Sequence, residues 1–506
     1  MALVDRSAPD VAATGVEGLD KILRGGLPRN RIYLLEGNPG TGKTTLALQF
    51  LLEGMRLGEK GLYVTLSETK EELYAVARSH GWSLDDLAIY DLAVPEGVSP
   101  EDGQYTLYYP SEVELGETTK AVFEEVERVQ PQRVVFDSLS EMRLLARDPL
   151  RYRRQILALK QFFIGRQSTV LLLDDHTSQE SDRQLESLAH GVLILEHKSP
   201  RYGGPHRYLN MLKLRGVNYI GGYHDFAIKP GGMVVYPRLI ASDHQKTTAR
   251  QTISSGLKNL DRLTGGGLES GSANLFLGPA GTGKSTLAAQ YVAAAAERDQ
   301  NAAMFIFDEG LNALLDRSAG IGIDLAQHIT SGRCVIRQID PAEISAGEFS
   351  NMICESVEKG GAKVVIIDSL NGYMQAMPEE HFLTAHMHEL LAYLNQQGVL
   401  TILVVGQHGL FGSNMPPPTD VSYLADTVIL FRYFESSGRV RKAISVVKKR
   451  TSEHENSIRE LRLTSKGIEV GDALTDFEGI LTGLPRSTGK GKGIMENGDD
   501  ETEDRL

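Results

Sequence analysis

Two octapeptides in this chain have the composition and spacing to hold a polyphosphate: GNPGTGKT at residues 37–44 and GPAGTGKS at residues 278–285. Both fit G-x-x-x-x-G-K-[ST]. The glycines let backbone N–H groups curl around phosphate oxygens, and the helix that follows offers its positive N-terminal end. The expected nucleotide contacts are Gly40, Thr41, Gly42, Lys43, Thr44 and Thr45 in the first half, and Gly281, Thr282, Gly283, Lys284, Ser285 and Thr286 in the second. Lys43 and Lys284 should reach the β- and γ-phosphates, and the Thr44 and Ser285 hydroxyls should ligate Mg²⁺. Each loop is followed by an apolar strand ending in Asp, RVVFDS at Asp137 and KVVIIDS at Asp368. A carboxylate placed there can join the Mg²⁺ shell, with Glu309 a further oxygen on that side of the second site.

Hydrolysis also needs a group to position or deprotonate the attacking oxygen. The run TLSE offers Glu68, and IFDE offers Asp308 and Glu309. A helix N-terminal carboxylate is the bland alternative, but the end of a core strand beside a phosphate loop favours catalysis. Further on, LKLRG carries Lys213 and Arg215, and VKKRT carries Lys448 and Arg450. Residues two apart on a strand share one face, so each pair aims both cations the same way. Either these are solvated edges, since edge strands favour Lys, or they are arginine fingers reaching the γ-phosphate of a neighbouring subunit. The second reading implies a ring with ATP between subunits.

The elements that must position these groups are written twice. TGVEGLDKILRGGLPRNRIYLLEGNPGTGKTTLALQF begins at Thr14, and SSGLKNLDRLTGGGLESGSANLFLGPAGTGKSTLAAQY begins at Ser254. One offset, 241 residues, separates Asp20 from Asp261, Lys43 from Lys284 and Glu68 from Glu309. That period is far too long for a solenoid and marks two homologous domains. Short apolar runs (RIYLLEG, GLYVTLSE, RVVFDS and STVLLLDD; then SANLFLG, AMFIFDE, KVVIIDS and LTILVVG) alternate with helical spacing. This predicts an α/β fold with a mainly parallel sheet flanked by helices. The expected boundaries are a first domain over 1–241, a polar linker over 242–252, a second domain over 253–486 and a disordered acidic tail over 487–506.

Composition narrows the class. With 506 residues and 41% hydrophobic content the chain is long and apolar enough for two full cores. A net charge of −13 argues against broad nucleic-acid binding, which needs a basic surface. The only cysteines are Cys334 and Cys354, with no metal-type spacing, so a reducing compartment is expected. The opening MALVDRSAPDVAATG has no apolar core and no long apolar run follows, so the expected location is cytoplasmic.

From about Thr14 to Pro485 the chain resembles the KaiC family of circadian clock ATPases and autokinases within the RecA/DnaB superfamily. The likeness rests on the tandem phosphate loops, the two Lys-x-Arg pairs, the run DTVILF after a hydroxyl pair, and LTSKGIEVGDALTDFEGILTGLPR near the end. It implies two tandem RecA-like P-loop domains in a double-ringed homohexamer with ATP and Mg²⁺ at subunit interfaces. The first ring would hydrolyse ATP slowly and the second would act as a serine/threonine-protein autokinase and be dephosphorylated. It implies a KaiB-like partner and, in cyanobacteria, a KaiA-like activator, for which this short acidic tail offers no physical support.

Carried over by residue, the likeness assigns the phosphoacceptor. Aligning SLAHGVLILEHK with YLADTVILFRYF pairs Leu188 with Leu424, which sets Ser422 against Glu186 and Tyr423 against Ser187. Ser422 matches the Ser of the family's Ser-Thr acceptor pair, and Tyr423 stands where the Thr would be. A phosphate at Ser422 would add a charge of about −1.5 to −2, an adjustable counterpart of the acid fixed at Glu186. The family's paired glutamates become Ser67-Glu68 and Asp308-Glu309. Asp308 takes the general-base position of the phosphorylation step, and Glu68 is left as the carboxylate of the first half. KKRTSEH adds Ser452 and His454 to the nucleotide contacts, and ARSHGW adds Ser79, with Trp82 read as core packing. Two rivals stay open on the sequence: a RecA-like DNA-handling motor, and a nucleotide-dependent hexameric scaffold without kinase activity.

Overall fold

The computed structural model describes residues 10–92, 110–146, 148–175, 182–244, 249–375, 383–407, 423–436, 438–481 and 486–487. The chain divides into two compact units, Met1–Arg238 and Leu239–Leu506. Each is built on a nine-stranded sheet.

The first sheet contains β1 (Ile32–Gly37), β2 (Gly61–Thr65), β3 (Ala88–Asp91), β4 (Arg133–Asp137), β5 (Thr169–Asp174), β6 (Gly191–Lys198), β7 (His206–Leu214), β8 (Tyr223–Lys229) and β9 (Gly232–Tyr236). Their spatial order is β3-β2-β4-β5-β1-β6-β7-β8-β9. The second sheet contains β10 (Ser272–Gly278), β11 (Ala302–Ile306), β12 (Cys334–Gln338), β13 (Val364–Asp368), β14 (Leu400–Gly406), β15 (Thr427–Ser436), β16 (Arg439–Lys449), β17 (Ile458–Thr464) and β18 (Gly467–Ala473). Its order, β12-β11-β13-β14-β10-β15-β16-β17-β18, repeats the first strand for strand. In both, six parallel strands are extended by three antiparallel ones. The expected pair of RecA-like domains, each with a mainly parallel sheet flanked by helices, is what the chain forms.

The unbroken apolar runs follow from burial on both faces. Tyr33 and Leu35 of β1 enter one core, with the helix Lys43–Arg56 (α1) above them. Their neighbours Ile32 and Leu34 enter the opposite core, beneath the helices Leu139–Ala146 and Pro149–Phe163. Strand alternation therefore divides one run between two hydrophobic layers. The second sheet is likewise covered on both faces.

The described residues on either side of 245–248, between the two sheets, carry contacts of their own. The division falls at Arg238/Leu239, ahead of the residue-241 boundary read from the sequence. Leu239 and Ala241 pack into a core of the second unit, and the Ala241 N–H donates to Glu389 at 3.0 Å. A 3₁₀ turn covers Ala241–His244, and Thr252–Ile253 pairs with Leu268–Glu269. At the far end Arg486–Ser487 pairs with Phe477–Glu478, while the tail beyond, expected to be disordered, lies outside the described residues.

Candidate functional site

In both units the phosphate loop leaves the central strand and enters a helix, α1 or its counterpart α2 (Lys284–Glu297). Gly42 and Gly283 cap these helices with φ of +100° and +102°, a conformation that strongly favours glycine. A Cβ on Gly42 would also lie 2.7 Å from Ile228 Cδ1, which would have to swing aside, so the positive φ is the stronger demand for glycine. The lysine that follows each glycine folds back over its loop. Lys43 Nζ donates to the Gly37 carbonyl at 2.6 Å and to Asp175 Oδ1 at 2.9 Å. Lys284 Nζ reaches the Pro279 carbonyl at 2.7 Å. Burial pushes the Lys284 ammonium down to about 8.

A polyphosphate would restore the charge on Lys284. Above its lowered pKa the amine is largely neutral without ligand, and the anionic ligand favours the ammonium form. Binding of ATP to the second site should therefore take up a proton at about pH 9, read by calorimetry in buffers of different ionisation enthalpy. Protein carrying Lys284→Met should show no such uptake from this site.

The strand-end acids lie where the register puts them. Thr65 of β2 pairs with Asp137 of β4, which brings the segment after β2 beside that carboxylate. Asp137 is buried and accepts from the Tyr63 hydroxyl at 2.5 Å; burial pushes it up despite that hydrogen bond. Glu68 Oε1 faces the Thr44 hydroxyl at 3.4 Å, while Oε2 is buried without a hydrogen-bond partner. Burial, then the Asp137 charge, push Glu68 above its ordinary value.

Two acids whose ionisation is disfavoured, one unpartnered oxygen and a threonine hydroxyl form a set that suits a hard divalent cation. No cluster of three or more His, Cys, Asp or Glu able to hold a metal occurs among the described residues. The two acids and the Thr44 hydroxyl fit Mg²⁺, which takes one or two carboxylates and draws its other ligands from phosphate and water.

The second site has the same loop and strand-end Asp but a different acid arrangement. Burial pushes Asp368 up to about 6, against a hydrogen bond from Ser285. Asp308 is exposed and accepts from the Ser369 hydroxyl. Glu309 turns instead to Arg317 on the helix Leu311–Ala319, accepting from Nε at 3.1 Å and Nη2 at 2.7 Å. The structure thus brings Ser285 and Asp368 together and gives Glu309 to an arginine.

The two Lys-x-Arg pairs are far from the phosphate loops of their own units. Lys213 on β7 pairs with Val192 of β6, and Val192 pairs with Leu34, three residues short of Gly37 where the loop begins. At about 3.3 Å per residue that is roughly 10 Å along the sheet, besides two strand spacings across it. Arg215 is farther still. Lys448 pairs with Val428, and Val428 with Leu275, again three residues short of Gly278. The side chains point away from the loops as well. Lys213 donates to the Glu186 carbonyl and Arg215 to that of Ser187 at 2.9 Å. Lys448 reaches the Ala425 carbonyl at 2.8 Å, and Arg450 that of Tyr423 at 3.2 Å. β7 and β16 are interior strands, but their pairing with the next strand covers Tyr208–Asn210 and Lys442–Ser445 and stops short of Lys213 and Lys448.

The remaining sequence candidates scatter. Ser452 donates to Glu269 at 2.8 Å, beside Lys449 and Thr451 on the same carboxylate. Ser79 is exposed and bonds the Val76 carbonyl of its own helix. His454 is half-buried. Trp82 packs at the margin of a core, its ring 4.7 Å from that of His80. Tyr423 is exposed, and Ser422 lies outside the described residues.

Residues 12–240 and 253–475 each match the KaiC ATPase family, one repeat per unit. The chain belongs to the KaiC family of ATPases. Among named relatives, the circadian clock oscillator protein KaiC of Thermostichus vulcanus is 28% identical over 480 residues, covering 93% of this chain and 91% of its own. That of Parasynechococcus marenigrum is 27% identical over 480 residues, covering 93% and 92%. The circadian clock protein KaiC3 of Synechocystis is 26% identical over 480 residues, covering 94% of each chain. Both KaiC repeats here span whole sheets and not fragments of them. No helix among the described residues is long and apolar enough to cross a membrane.

Sequence reasoning missed several residues in these KaiC repeats. Asp175, partner of Lys43, could have been found, because it extends the apolar run TVLLLD at the end of β5. Arg207 and Tyr433 bond loop carbonyls, Gly40 at 2.8 Å and Ala280 at 3.0 Å, from strands distant in sequence, and carry no local signal.

Proposed function

We propose that each unit binds ATP with Mg²⁺, that the first hydrolyses it, and that the second transfers the γ-phosphate to Ser422 of a neighbouring copy. The observation that carries this reading is the separation of each phosphate loop from the Lys-x-Arg pair of its own unit. A γ-phosphate held by Lys43 meets Arg215 only when a second copy supplies it, and the same holds for Lys284 and Arg450. The ring this requires is taken to be a homohexamer by likeness to the family.

In the first unit Lys43 holds the terminal phosphates, and Glu68 accepts the proton of a water whose oxygen bonds to the γ-phosphorus. The bond to the β–γ bridging oxygen breaks and ADP leaves. Thr44 and Asp137, with Ser285 and Asp368 in the second unit, would hold the Mg²⁺ ion, which neutralises charge on the phosphate oxygens when bound. Lys213 and Arg215 reach in from the neighbour to balance the charge that spreads over the γ-phosphoryl group.

In the second unit the nucleophile is the Ser422 hydroxyl. Its oxygen bonds to the γ-phosphorus, its proton passes to Asp308, and ADP departs with the bridging oxygen. The contact of Arg450 with the Tyr423 carbonyl supports this placement, since it ties the acceptor segment to the sheet end that faces away from its own loop. Transfer would then run between subunits.

The test is incubation of purified protein with γ-labelled radioactive ATP and Mg²⁺, followed by phosphopeptide mapping, with Ser422→Ala alongside. Label on the peptide spanning residues 419–427 should appear in the parent and be lost in the variant. Phosphate release without label, abolished by Lys43→Ala, would leave a ring ATPase and remove the kinase. Salt-dependent DNA binding would favour the motor instead, against the −13 net charge.

A further inference from the structure

One difference between the two nucleotide sites is a guanidinium. In the second unit Arg317 takes both oxygens of Glu309, with Nε at 3.1 Å from Oε1 and Nη2 at 2.7 Å from Oε2. Its third nitrogen, Nη1, donates to the Thr286 hydroxyl at 2.6 Å. Thr286 is buried in the first turn of α2, two residues after the loop lysine. One side chain therefore clamps the acid after β11 to the phosphate-binding helix.

Among the described residues of the first unit no such clamp occurs on Glu68. At the repeat offset of 241 residues the position of Arg317 is held by Val76, an apolar side chain packed against the core. Glu68, the counterpart of Glu309, keeps one oxygen against Thr44 and the other without a partner. The same acid is thus engaged on both oxygens in one unit and available in the other.

A bidentate guanidinium–carboxylate pair holds its acid in a fixed plane with a donor on each oxygen, which turns the carboxylate away from a passing water. We propose that Arg317 is a positioning residue that withholds Glu309 from water at the second site, suppressing hydrolysis there while the unclamped first site turns over. The consequence is persistence: nucleotide in the second unit survives long enough for transfer to a slower nucleophile. This inference rests on the reading that both units bind ATP, and it deepens the division of labour proposed above.

The experiment uses the full chain with Lys43→Ala, which silences the first site, and measures ATP binding, phosphate release and label on residues 419–427. Arg317→Met in that background should raise kcat for phosphate release about tenfold with KM for ATP within about twofold, the gain expected of a freed general base. Adding Glu309→Gln should remove the gain, and Arg317→Lys, a cation without the fork, should give an intermediate rate. An unchanged or lower kcat in both Arg317 variants would overturn the proposal. So would a rise in KM alone, which would make Arg317 a loop support, or a gain that survives Glu309→Gln. Lys43→Ala protein that binds no ATP would overturn both readings. Protein that binds and hydrolyses ATP without label would remove only the kinase and leave the Arg317 result to stand.

Discussion

Two inactive proteins should become active when mixed. Lys43→Ala removes the loop lysine of the first unit, and Arg215→Ala removes the cation that the proposed reading takes from the neighbour. With Lys284→Ala in both to silence the second unit, each should lose phosphate release by about 10³-fold or more, the scale of an arginine finger. In a randomly mixed ring made from equal amounts, an interface is complete when the Arg215→Ala copy lends its intact loop and the Lys43→Ala copy lends its intact arginine. About a quarter of interfaces satisfy that condition, so mixing should recover up to about a quarter of the parent rate. Recovery is measured as phosphate release after subunits have exchanged. A mixture as inactive as its components would show that Arg215 acts within its own chain or through stability. The intramolecular alternative is already strained by the register, which sets Lys213 about 10 Å along the sheet from its own loop and Arg215 beyond it.

The second large effect belongs to Glu68. Replacing it with Gln keeps the shape but removes the proposed base, and kcat of the first unit should fall by about 10²- to 10⁴-fold with nucleotide affinity retained. The pH profile gives an independent reading. Burial and the nearby Asp137 charge raise the Glu68 pKa above 4.5, so the acid is protonated at a higher pH than a solvated carboxylate would be. As a base it must be ionised. First-unit turnover, followed in a Lys284→Ala protein, should fall as pH drops through that raised value. An acid limb no higher than that of an ordinary carboxylate, or a Glu68→Gln protein of near-parent rate, would assign the proton to another group.

Much of this arrangement was legible in the sequence because it is local. The phosphate loops, the strands before them and the strand-end acids Asp137 and Asp368 each occupy one short run, and the repeat supplies two copies for comparison. The apolar runs place the sheet, since a strand buried on both faces needs hydrophobic residues at every position. What could not be read depends on pairing across long stretches of chain. Glu309 and Arg317 are near in sequence, yet nothing in DEGLNALLDR says that the arginine turns back to the acid rather than out to solvent. The Lys-x-Arg pairs were found by type, but their placement at the far sheet end follows only from antiparallel registry with β6 and β15. The beginning of the second unit escaped for a related reason. Leu239 and Ala241 are too few to make a pattern, and their burial depends on a helix about 150 residues away.

Strand order and register give each unit two unlike ends, one bearing the loop and the other the cations. A twofold axis would pair like ends and bring no loop to a partner's cations. If the sites are shared between copies as proposed, only head-to-tail contact joins a loop to its cations, and such contact is heterologous: it closes into a ring or continues as a filament. On that reading an open assembly would carry one unfinished site of each kind at a terminus, and closure would bring every loop into use. The number of working loops would then count the joints between copies and not the copies.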